Sequence, residues 1–226
     1  MLKFLPIALA ALYGIAMYRV SAWRTRRELD ARSSELADAK LKKLTDGFAA
    51  ALDLPRIVVY IYEIQPVNGL AAPDGRIFIT RGFYQKYLDG EVTAEEIASV
   101  IAHELGHVAL GHTRRRLIDF SGQNALRTAL AIMLARFLPG IGVIIADSIT
   151  SLLMARMSRK DEYEADEYAA SLLIKAGIGT SPQKSLFLKL EELTKTDTSK
   201  IPAWLMNHPT VPKRIAAIEN LEEKWL

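Results

Sequence analysis

Three of the four histidines in this 226-residue chain, His103, His107 and His112, fall within one short stretch, and the first two frame the pattern His103-Glu104-Leu105-Gly106-His107. An α-helix turns about 100° per residue, so His103 and His107 stack one turn apart on one face, where two imidazoles can share a cation at about 2.0–2.1 Å. Glu104 sits beside that face. Its carboxylate can reach a water at the cation without being a ligand, which is the placement a general base requires. A third histidine ten positions after the first would complete one kind of site, but that position is Thr113. His112, nine positions on from His103, is rotated to another face of the same helix and reads as a surface or supporting residue rather than a ligand. The remaining source is a carboxylate on a second helix. In Asp161-Glu162-Tyr163-Glu164-Ala165-Asp166, only Glu162 and Asp166 form a Glu-then-Asp pair four apart. Glu162 is the expected third ligand. Asp166, one turn later, would accept the N–H of a liganding imidazole and fix its tautomer, while Glu164 points away from the pair.

The chain has no cysteine, which removes disulfides, thiolate metal sites and cysteine nucleophiles, so any metal rests on His, Asp or Glu. Half of the residues are hydrophobic and 24% are charged, the composition of a folded chain rather than a disordered one. With 29 basic residues against 26 acidic, the balance is too even to imply a nucleic-acid surface.

The elements that must hold the chemistry can be read around it. Thr93 with Glu96 forms a capping box that opens the helix carrying His103, and Ile97, Val100, Ile101, Leu105 and Val108 give that helix its inward side. Upstream, Ile57 to Tyr62, Val67 to Ala71 and Arg76 to Thr80 read as three short strands, the last two joined by a Pro73-Asp74-Gly75 turn. Ser181-Pro182 and Thr210 open two later helices. The expected class is α+β, helix-dominated, with one small antiparallel sheet. Residues 128–155 are unusually apolar, but Arg136 and Asp147 cut them into pieces too short to span a bilayer, so they read as a helical hairpin in the core, over the site or against lipid.

The N-terminus has its own signature. Phe4 to Tyr18 carries no charge and is flanked by Lys3 and by Arg19, Arg24, Arg26 and Arg27. As a helix it reaches about 22 Å against roughly 30 Å of hydrocarbon, enough for a membrane segment only if the flanking cations snorkel. A retained anchor places the arginines and the domain on the cytoplasmic side. The alternative is a cleaved signal, with Val20-Ser21-Ala22 before the cut and export as the result. The expected organisation is a membrane anchor or signal over residues 1–23, a linking amphipathic helix over 24–53 and a metal-binding domain over 54–226.

Several segments together resemble a known family, the membrane-associated gluzincin peptidases that include HtpX, the Oma-type mitochondrial protease and the CAAX prenyl proteases. Ile101-Ala102-His103-Glu104-Leu105-Gly106-His107-Val108 is similar to their zinc helix, and Ser158 to Asp166 is similar to their second ligand segment, in which the corresponding glutamate, here Glu162, binds zinc. Asn68-Gly69-Leu70-Ala71 resembles the family's Asn-Ala-hydrophobic-Ala segment beside the cleft, with Gly69 in place of the usual alanine. Asn207-His208-Pro209 with Arg214-Ile215 resembles its C-terminal His-Pro element. The resemblance covers about residues 40–222. It implies a zincin-like fold, Zn2+ as cofactor, and His208 near the zinc as an oxyanion donor or a resting-state ligand; the plainer reading of that stretch is a His-Pro turn with Arg214 in a surface ion pair. The several spanning helices of HtpX and the prenyl proteases are missing, which favours a compact, singly anchored or exported member.

The implied reaction is hydrolysis of peptide bonds in extended or unfolded protein segments, with Glu104 as base and acid, in membrane-associated quality control. The substrate would pair with the strand of Arg76, Ile77, Phe78 and Ile79, taken as an exposed edge next to Asn68. Expected partners are protein or peptide substrates and, through the N-terminal segment, membrane lipid. The rival is a membrane-tethered chaperone or adaptor with a closed structural zinc site; zinc hydrolysis of other bonds is a third option.

Overall fold

The computed structural model describes residues 5–72, 74–113, 115, 142–196 and 210–225. Among these, helix α1 (Leu5–Arg32) leads into strand β1 (Ser33–Glu35), helix α2 (Ala39–Ala51), and strands β2 (Val59–Tyr62), β3 (Gly69–Ala71) and β4 (Ile77–Thr80). Helices α3 (Arg81–Leu88), α4 (Ala94–Ala109), α5 (Gly142–Lys175), α6 (Ser181–Thr196) and α7 (Val211–Trp225) follow. The helix expected over 24–53 is therefore two helices with a strand between them. Asp38 starts the second of these by accepting from the backbone N–H groups of Lys40 and Leu41.

The sheet is mixed rather than antiparallel, in the order β1-β2-β4-β3. β1 with β2 and β3 with β4 are antiparallel, while β2 and β4 run parallel, Val59 opposite Ile77 and Tyr62 opposite Thr80. The β3–β4 hairpin is laid so that its second strand enters beside β2. β4 is thus interior and β3 forms the edge.

Period-2 alternation covers both faces of the sheet. Val59, Ile61, Ile77 and Ile79 join Leu41 and Phe48 of α2 and Ile97, Ile101 and Leu105 of α4 in the main core. Tyr62, Ala72 and Phe78 face the other way, onto Leu29 near the end of α1. Polar contacts seat that part of α1: the Tyr62 hydroxyl donates to Glu28, and Arg76 donates to Asp30 at 2.6 Å.

The part of α1 before Arg24 is different. Leu12, Tyr13, Ile15, Val20 and Trp23 are exposed there. Even so, no helix among the described residues is long and apolar enough to cross a membrane. Of the apolar stretch 128–155, residues 128–141 lie outside the described residues, and from Gly142 onward the chain is already α5.

The capping box forms as the spacing requires. Thr93 Oγ1 accepts from Glu96 N–H, and the Glu96 carboxylate accepts from Thr93 N–H at 2.8 Å. It fixes the start of the helix on which the histidines lie.

Candidate metal centre

Helix α4 carries His103, Glu104 and His107, and α5 crosses it with Glu162 and Asp166. Gly106 decides how closely the two helices approach. A methyl group at that position would sit 3.1 Å from the Cα and the carbonyl oxygen of Ala165 and 3.2 Å from Tyr168 Cβ. A side chain there would press α5 outward by a few tenths of an ångström, and the close approach that the glycine allows brings Glu162 onto the imidazoles.

The Nε2 atoms of His103 and His107 stand 3.1 Å apart; the Glu162 carboxylate lies 3.3 Å from the first and 3.5 Å from the second. Tetrahedral coordination at about 2.0–2.1 Å separates ligand atoms by about 3.3–3.4 Å, so the three donors already stand where a zinc-sized cation needs them. Two imidazoles and one carboxylate form the donor set of a catalytic rather than a purely structural zinc site, which more often has four protein ligands. All three side chains are buried, at 2%, 4% and 1% exposure. His103, Glu104, His107, Glu162 and Asp166, singled out in the sequence, are thus brought together.

Behind His103, its Nδ1 meets Asp166 Oδ1 at 2.9 Å. Arg214, wholly buried on α7, donates to the same carboxylate from Nε at 2.6 Å and Nη2 at 2.5 Å, and its guanidinium lies 4.1 Å over the Phe187 ring. Burial pushes the Asp166 carboxyl up, but the Arg214 charge and hydrogen bonds outweigh it and hold it below the ordinary carboxylate value. His103 shows the same preference for positive charge. Burial opposes its protonation, yet hydrogen bonds to Asp166 and Glu162 carry it up to about 9. Arg214 is accordingly no surface ion pair: it is the buried counter-charge of Asp166.

His112 is also displaced from its expected position. Helix α4 ends at Ala109, and Gly111, at φ +71°, turns the chain back, so His112 lies behind His107 instead of on another face of a continuing helix. It is fully buried, its Nδ1 3.0 Å from Nδ1 of His107. The clue in the sequence was the glycine immediately before it. Glu164, as expected, faces away from the ligands and meets His112.

Glu104 is 4% exposed, on the flank of α4 that meets β3. A methyl group at Gly69 would fall 2.4 Å from Val100 Cγ1 and 3.4 Å from Glu104 Oε1. The alanine common in the resembling family would force Val100 to move, and its absence lets the strand lie directly against the helix at Glu104.

The expected substrate strand needs correction. β4 is paired on both sides, and Ile77, Phe78 and Ile79 are 1%, 0% and 0% exposed, so none of them offers an edge. Arg76 is engaged by Asp74 and Asp30 and packs over Tyr60 and Phe78, holding α1 to the sheet. Asn68 has its backbone tied to Thr80: its N–H donates to Thr80 Oγ1 and its carbonyl accepts from Thr80 N–H. In that register Asn68, Leu70 and Ala72 direct their backbone groups at β4, and Gly69 and Ala71 direct theirs outward. His208 lies outside the described residues.

Comparison with known proteins follows the same lines. The model of Peptidase family M48 matches residues 35–222. Metalloprotease LoiP of Escherichia coli (strain K12) is 30% identical over 168 residues, 71% of this chain and 60% of LoiP. The mitochondrial metalloendopeptidase OMA1 of Homo sapiens is 25% identical over 171 residues, 73% of this chain and 32% of OMA1. A protease HtpX homolog of Janthinobacterium sp. (strain Marseille) is 27% identical over 236 residues, 90% of this chain and 79% of that protein. The chain therefore spans 60% of the first of these relatives and about a third of the second.

Proposed function

The chain belongs to peptidase family M48, and from that premise we propose that it is a zinc-dependent endopeptidase acting on extended or unfolded protein segments. The observation that carries the reading is the meeting of His103, His107 and Glu162 at tetrahedral spacing, with Glu104 beside them on the flank that faces the sheet edge.

His103, His107 and Glu162 would hold the metal. Bound zinc supplies a Lewis acid that polarises the scissile carbonyl and acidifies water. The chain's own residues do the rest. Glu104 takes the proton from the attacking water on its carboxylate and returns it to the departing amine. Ala71 directs its N–H and C=O away from β4, so an extended substrate can add as a strand against β3, while Gly69 is buried against Val100 and Glu104. Backbone pairing reads shape more than sequence, which suits a broad range of unfolded segments. Asp166 and Arg214 keep the His103 ring oriented throughout.

The exposed apolar residues of α1 between Leu12 and Trp23, followed by Arg24, Arg26 and Arg27, support lipid contact and with it a role in membrane-associated quality control. Such a cationic cluster is drawn to the anionic cytoplasmic leaflet, so the reading puts the domain on that side.

The test is hydrolysis of unfolded casein by the full chain, with and without o-phenanthroline, beside Glu104→Gln. Chelator-sensitive cleavage, lost in a Glu104→Gln protein that keeps its zinc, is the expected result. Zinc retention without any cleavage by the unaltered chain would move the reading to an adaptor with a structural metal.

A further inference from the structure

We propose that His112 is a positioning residue for the ligand His107, accepting its Nδ1–H and passing the orientation on to Glu164. The inference rests on the zinc reading above. When His107 gives its Nε2 lone pair to a cation, its proton must be on Nδ1, and Nδ1 of His112 stands 3.0 Å from that atom. His112 must then accept there, which puts its own proton on Nε2, facing Glu164 Oε2 at 3.1 Å. One chain of donors and acceptors follows, from ligand to imidazole to carboxylate, with every tautomer determined. It does for His107 what Asp166 does for His103.

The local fold is built for it. Gly111, at φ +71°, reverses the chain straight after α4, and a methyl group there would meet nothing within 4 Å, so the glycine is required by its backbone angle and not by crowding. The reversal brings a histidine five residues beyond His107 back onto it, at 0% exposure. The trio His112, Asp161 and Glu164 is not a second cation site of its own, because positive charge already answers its carboxylates: Arg115 stands 3.4 Å from Asp161 and Lys160 3.4 Å from Glu164.

The two amide replacements separate the proposal from simple packing. In His112→Asn the side-chain oxygen can take the place of Nδ1 and still accept from His107. In His112→Gln the amide sits where Nε2 was and serves Glu164 only. His112→Phe serves neither.

Zinc affinity of the full-length protein is measured by chelator competition, and the visible absorption of the Co(II)-substituted protein reports ligand orientation. Loss of this support should weaken zinc about 10- to 100-fold in His112→Gln and His112→Phe and alter the cobalt spectrum, with His112→Asn staying within a few-fold of the parent. If His112→Phe fails to fold, the Asn and Gln pair decides alone. Equal affinities in Asn and Gln, or an unaltered affinity and spectrum in a folded His112→Phe, overturn the proposal. A parent chain that binds no stoichiometric zinc removes the underlying reading instead, and that result is seen before any variant is made.

Discussion

The two imidazoles of the site are supported in different ways. His103 leans on Asp166, whose carboxylate is gripped by Arg214 from α7, with every member of the chain buried. His107 leans on His112, only five residues away, whose outer partner Glu164 is partly exposed and also meets Lys160. The first support is assembled only when α5 has packed onto α4 and α7 onto α5, so it links the metal site to the folding of the C-terminal part. The second is made by the end of α4 and one turn of α5. A buried charge pair is costly to break and a semi-exposed one is not, so the two supports should fail differently.

The largest effect is expected from Arg214→Met, which leaves the Asp166 carboxylate buried without its counter-charge. A loss of about 3–5 kcal/mol is expected, read as a lowered urea midpoint, and Asp166→Asn combined with Arg214→Met should recover part of it. A midpoint equal to the parent's would erase the contrast between the supports. Next is Gly106→Ala, which wedges α4 away from Ala165 and strikes both supports together; about 1–3 kcal/mol of stability should go, and zinc affinity should fall with it.

Glu96→Gln, at the far end of α4 and in neither support, is the control. Burial raises the Glu96 carboxyl, but the Lys189 hydrogen bond at 2.8 Å, the Thr93 N–H and Ser185 outweigh it, so its value is lowered from the ordinary 4.5. A lowered folded value stabilises in full above the ordinary one and is lost as pH falls through the folded one. The variant should therefore be less stable by about 1 kcal/mol near pH 7, converge with the parent in strong acid, and bind zinc as before. Weakened zinc binding in Glu96→Gln would mean that the site responds to any destabilisation, and the two supports could not be told apart. The smallest effect belongs to Glu164→Gln, less than about 1 kcal/mol by thermal melt, since its partners are already part-solvated.

Much of the site was legible because a helix converts spacing into geometry: four residues put His103 over His107, and the same interval put Glu162 before Asp166. The Thr93–Glu96 box was legible for the same local reason. What escaped depends on residues distant in the chain or on one backbone angle. Nothing near Arg76 says that the β3–β4 hairpin enters with β4 against β2, so the edge was assigned to the wrong strand of the pair. β1, three residues among charges, has no pattern long enough to read. The pairing of Arg214 with Asp166 spans 48 residues and is set by helix packing, and the face of His112 was misread because α4 ends at Ala109 and Gly111 turns the chain.

The most direct test is the zinc content of the purified full-length chain beside that of Glu162→Gln, measured by elemental analysis after equilibration with limiting zinc. One zinc per chain in the parent, with most of it lost in a folded Glu162→Gln, is the predicted result. A metal-free parent, or a Glu162→Gln protein that holds zinc as tightly as the parent, would contradict the account.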